Sequence, residues 1–143
     1  MANVSDGLKN IIGDKNRAIT LNFVSKLKGH RSLGKPVAKK DFGVRGITSD
    51  DTIIECTQID IDHDMELSAT SKLMKDGKCE AVLRVNATWS TSKEKPELKY
   101  DFVVGEESSG NQLECAKFGE YKVKVKLEMT NPKAALFRVS VKV

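Results

Sequence analysis

Three aspartates, Asp60, Asp62 and Asp64, stand at alternate positions, the spacing of the first ligands of a calcium-binding loop. Such a loop also needs glycine at its sixth position, where the chain turns sharply, and a bidentate glutamate at its twelfth. Those positions hold Met65 and Ser71. The surrounding residues alternate instead, with Ile59, Ile61, Met65 and Leu67 apolar and Asp60, Asp62, Asp64 and Glu66 acidic. That is the period of a half-buried strand, so the acids read as its solvated face and not as a metal site.

Other chemistry-bearing residues are equally isolated. Asp41-Phe42-Gly43 matches the magnesium-binding triplet of protein kinases, but the glycine-rich loop and catalytic-loop motif that go with it are missing. His30 and His63 have no Cys or His partner at metal-ligand spacing. Gly29, Gly34 and Gly43 are too scattered for a phosphate loop. Cys56, Cys79 and Cys115 are odd in number and widely spaced, which favours buried free thiols over a disulfide framework. No catalytic residue, metal or cofactor is implied, and the chain is read as non-enzymatic.

The charge is more informative. Net charge is +4, but residues 1–46 carry ten Lys and Arg against three acids, and the remainder fourteen against seventeen. Lys26, Lys28, Arg31, Lys35, Lys39, Lys40 and Arg45 make the basic stretch, a candidate site for a nucleic acid or another anionic partner. The plainer reading is a solvated loop with lysines guarding a strand edge. A second stripe, Lys122, Lys124 and Lys126, complements Asp60, Asp62, Asp64 and Glu66. The two stripes are either cross-strand neighbours in one molecule or an assembly interface between molecules.

Periodicity supplies the elements that must position these groups. Alternation over Ile59–Leu67 and again over Ala81–Trp89 predicts a long hairpin, with Asp76-Gly77 at its tip. A three-residue loop, Lys75–Gly77, keeps odd residues opposite odd ones. It sets Leu67 against Val85, Met65 against Ala87 and His63 against Trp89. Further strands are expected over Ala18–Leu27, Val37–Ile47, Thr52–Thr57, Leu98–Val104, Leu113–Phe118, Tyr121–Met129 and Ala135–Val143. A bulge near Thr57-Gln58 would reconcile the even phase of Ile54 and Cys56 with the odd phase that follows. Residues 5–13 read as a two-turn helix capped by Ser5 or Asp6 and stopped by Gly13.

The resulting fold class is mainly β: an antiparallel β-sandwich or meander sheet of about eight strands with one short N-terminal helix. The 143 residues form a single domain, divided into 1–16 (helix and lead-in), 17–47 (basic strands and loop) and 52–143 (antiparallel meander). No stretch approaches the ~18 apolar residues of a membrane span, and the start of the chain lacks the basic and apolar regions of a secretory signal. A short helix needs a packing partner, and charge is unevenly divided. Together these favour a self-assembling structural subunit, most concretely a virion coat or tail component, in the virion or the cytoplasm. The expected partners are further copies of the chain and then nucleic acid, with no membrane and no small-molecule substrate. The alternatives are a nucleic-acid-binding β module and a ligand- or protein-binding β-sandwich.

Overall fold

The computed structural model describes residues 16–103 and 121–143. The expected helix over 5–13, the expected strand Leu113–Phe118 and Cys115 lie outside the described residues. Within them the chain forms ten strands: β1 (Arg17–Lys26), β2 (Arg31–Leu33), β3 (Val37–Lys40), β4 (Gly46–Ser49), β5 (Ile53–Gln58), β6 (Met65–Lys75), β7 (Lys78–Trp89), β8 (Glu97–Val103), β9 (Lys122–Asn131) and β10 (Ala134–Lys142). One sheet has the order β4-β5-β1-β10-β9. The other has the order β2-β6-β7-β8, with β3 also pairing β6. All pairings are antiparallel except that of β1 with β10, which is parallel.

Alternation explains the layering. Ile19, Leu21 and Phe23 of β1 and Ala135, Phe137, Val139 and Val141 of β10 point inward from the first sheet. Met65, Leu67, Ala69 and Leu73 of β6 and Leu83, Val85, Ala87 and Trp89 of β7 point inward from the second. These residues belong to a single core cluster shared by both sheets. Each fully buried large apolar side chain contributes roughly 1.5–3 kcal/mol. The connection of β8 to β9 passes from the second sheet to the first, so 52–143 is not the simple meander expected.

The segment Val37–Ile47, expected as one strand, divides between the sheets. The Glu66 N–H donates to the Phe42 carbonyl at 2.8 Å, and the Arg45 N–H donates to the Thr57 carbonyl at 2.7 Å. Phe42 is thus still bound to the second sheet while Arg45 already belongs to the first. The crossing uses Gly43, whose φ of 80° suits glycine. A Cβ there would collide with the Asp64 carbonyl oxygen and the Gln58 amide.

The central hairpin keeps its expected parity by a different route. Its loop is the two residues Asp76-Gly77, with φ of 53° and 78°, as a type I′ turn requires. Lys75 faces Lys78 and Met74 faces Cys79, but Leu73 faces Ala81. Glu80 is therefore the extra residue of a β-bulge, and beyond it odd again meets odd. Met65, not His63, lies opposite Trp89, and Leu67 lies opposite Ala87. The strand begins only at Met65, because residues 59–64 form a turn that resets the phase after Gln58. No bulge at Thr57-Gln58 is needed, since β5 keeps its register with β1 to its end.

Candidate functional site

Two polar residues, one of them charged, point inward at the same end of the molecule. Arg17 precedes Ile19 in phase, and Gln58 follows Cys56 in phase, so both face the core side of adjacent strands. Arg17 is 3% exposed. Its Nε and Nη2 donate to Gln58 Oε1 at 2.8 and 2.5 Å, Nη2 also to the His63 carbonyl at 2.6 Å, and Nη1 to the Ser90 carbonyl at 3.4 Å. The guanidinium lies over the Trp89 ring, 5.1 Å from its centroid. Burial lowers the Arg17 pKa, and the Asp64 carboxylate opposes that shift. The Gln58 amide nitrogen donates to the His63 and Asp64 carbonyls at 2.6 and 3.3 Å. Arg17 and Gln58 together hold the 59–64 turn against the sandwich end.

Above Arg17 and Trp89 opens a cavity of about 690 Å³. Thr91, Ser92, Lys93, Glu94 and Lys95 of the β7–β8 connection form one wall, and Met129, Asn131, Pro132 and Lys133 of the β9–β10 turn form the other. The first wall is anchored at two points: the Trp89 Nε1–H donates to the Lys93 carbonyl at 3.1 Å, and the Thr91 N–H donates to Asp64 Oδ1 at 2.9 Å. The second is held by the Asn131 side chain, which accepts the Lys133 N–H at 2.7 Å. The lining mixes donors and acceptors with apolar patches from Ile61, Met129 and Pro132, and carries more positive than negative charge. Its volume falls in the ordinary range for small-ligand sites.

The sequence had marked other residues. Of the basic stretch, Lys26 ends β1 and Lys28 follows it, Arg31 is on β2, and Lys35 lies between β2 and β3. Lys39 and Lys40 are exposed on β3, and Arg45 precedes β4. The stretch thus spans both sheets. Arg31 turns inward: its Nε donates to Glu80 Oε1 at 3.4 Å, and its guanidinium covers Tyr121, 5.7 Å from the ring centroid. The Tyr121 hydroxyl donates to the same Glu80 oxygen at 2.7 Å. That hydrogen bond, with Arg31, holds the Glu80 carboxyl below its usual range. Burial and the same carboxylate push Tyr121 up to about 12.

Asp60, Asp62 and Asp64 belong to the 59–64 turn and not to a strand face, and only Glu66 is on β6. The Asp62 N–H donates to Asp60 Oδ1 at 2.9 Å, which lowers the Asp60 pKa. His63 Nδ1 lies 3.2 Å from Asp60 Oδ2, and its ring meets Phe42 edge-on at 6.1 Å. His63 is thus a surface residue, not a core one facing Trp89. Lys122, Lys124 and Lys126 lie on β9, whose partner is β10, so the lysine and acidic stripes are not cross-strand neighbours. Among the described residues no group of three His, Cys, Asp or Glu side chains is placed to hold a metal ion. Cys56 is a free, buried thiol pushed up to about 12 by burial. Cys79 is disulfide-bonded, which corrects the expectation of free thiols.

No known protein family matches this chain, and no curated protein does either. Solved structures do resemble it. The wild-type lectin of Xerocomus chrysenteron aligns over 88% of this chain and 99% of its own, with a TM-score of 0.55 at 11% identity. A variant of that lectin with three methionine substitutions aligns over 88% and 97%, with a TM-score of 0.52 at 14% identity. At this identity the likeness is one of fold.

Proposed function

We propose that this chain is a glycan-binding β-sandwich, non-enzymatic, whose ligand occupies the cavity above Arg17 and Trp89. The observation that carries this reading is the composition of that cavity. A sugar ring presents hydroxyls that need donors and acceptors and C–H faces that need apolar contact. Thr91, Ser92, Glu94, Asn131 and the lysines supply the first, and Ile61, Met129 and Pro132 the second. Arg17 and Gln58 make the floor rigid, which limits the ordering cost of binding. The fold it shares with a fungal lectin supports the same reading. The test is a glycan array followed by calorimetry on the strongest hit. Glu94→Ala and Asn131→Ala should each weaken binding about tenfold, the worth of one well-made hydrogen bond. Failure of the wild-type chain to bind any neutral or acidic glycan at millimolar concentration would end the proposal.

Assembly with further copies is a second reading, supported by one feature. Strand β9 pairs only with β10 among the described residues, and a strand edge that stays unpaired is a template for another strand. A virion role draws no support from the fold or from its likeness to the lectin.

A further inference from the structure

We propose that the outer face of β1, β10 and β9 docks a linear sulfated polysaccharide, at a place separate from the cavity. Sheet order brings together cations that are remote in sequence. Lys26 pairs with Lys142, and Lys142 with Lys122. In the next row Val24 pairs with Ser140 and Ser140 with Lys124. In the third Asn22 pairs with Arg138 and Arg138 with Lys126. All of these residues alternate with the buried ones, so they share the solvent side of the sheet. The only acid in the three strands' outward set is Glu128, which is 3.5 Å from Arg138. Lys26, Lys122, Lys124, Lys126 and Lys142 make no ion pair with any described residue.

Like charges directly opposite on a sheet destabilise it, and the row Lys26–Lys142–Lys122 repeats that arrangement across three strands. Strands lie about 4.8 Å apart, and alternate residues along a strand about 7 Å apart. The result is a lattice of cationic groups around a shallow groove of about 290 Å³, lined in part by the exposed Val24. Such a surface fits a chain that presents fixed anions at short intervals along its length.

Two observations favour a polysaccharide over a nucleic acid. Among the described residues the face carries no aromatic side chain on which bases could stack, and it presents no helix to enter a groove.

The experiment uses immobilised heparin as the probe and compares two variants of equal charge. Lys124→Glu with Lys142→Glu alters this face. Lys72→Glu with Lys99→Glu alters exposed positions on the opposite sheet. The first should weaken heparin binding at least tenfold and elute at lower salt, while the second stays within twofold of wild type. Desulfated heparin should not be retained. Equal losses in both variants, or no loss in the first, would overturn the site. A single-stranded oligonucleotide binding as tightly as heparin would overturn the choice of partner. Circular dichroism of both variants, whose changes are all at exposed positions, confirms that folding is intact.

Discussion

Glu80 owes its position to the bulge in β7. The extra residue re-aims its side chain so that one carboxylate oxygen meets both the Tyr121 hydroxyl and Arg31. This joins β2, the start of β7 and the lead-in to β9, and so ties the two sheets together. Because the folded pKa is depressed, the stabilisation is fully present above the unfolded value of about 4.3 and lost as pH falls through the folded one. Melting temperature measured from pH 7 to pH 3 should drop in the acid limb, and Glu80→Gln should start lower at pH 7 and fall less steeply. Identical acid limbs in the two proteins would remove Glu80 from this role. Arg17 illustrates what the sequence does signal at this scale. It is a charge in phase with Ile19, Leu21 and Phe23, and Gln58 is likewise in phase with Ile54 and Cys56. A polar residue on the apolar phase of a strand must find buried partners, and these two found each other.

Strand alternation was legible wherever a strand buries one face. The inward residues of β1, β7 and β10 are the apolar ones expected, and the parity of the hairpin held. What periodicity does not contain is which strand neighbours which. Lys26 was grouped with Lys28 to Arg45 because they are close in sequence, whereas the sheet groups it with Lys122 and Lys142. The 59–64 turn continues the alternating pattern of β6, so the hydropathy alone hid it and placed His63 in the core. The division of Val37–Ile47 was similarly hidden, and its one signal was Gly43. Gly43→Ala tests that crossing. Positive φ and the collision with the Asp64 carbonyl should together cost about 2 kcal/mol or more, seen as a lowered urea midpoint. Gly77→Ala at the hairpin tip, where nothing lies within 4 Å, should cost only about 1 kcal/mol. Equal costs would mean that the close approach at Gly43 contributes nothing.

At the scale of the whole molecule, two features of β9 act on assembly in opposite senses. The edge of β9 that no described strand pairs invites pairing, while its lysines oppose the approach of a second copy of the same strand. The balance should shift with ionic strength, because exposed charges are screened beyond about 8 Å at physiological salt. Light scattering at increasing salt should show a growing share of oligomer if copies associate through β9, and Lys124→Glu should strengthen association at low salt. A monomer at every salt concentration would close the assembly reading. The parallel pairing of β1 with β10 has a consequence of a different kind, for the order of events during synthesis. Ala18 finds its β10 partner only when Ala134 has left the ribosome, whereas β6 pairs with β7 and β7 with β8, each its immediate successor. The sheet built on the central hairpin can therefore form while translation continues. The other sheet must hold β1 unpaired on that side until β10 arrives, so the apolar face of Ile19, Leu21 and Phe23 is the surface that a nascent chain of this protein must keep from its neighbours.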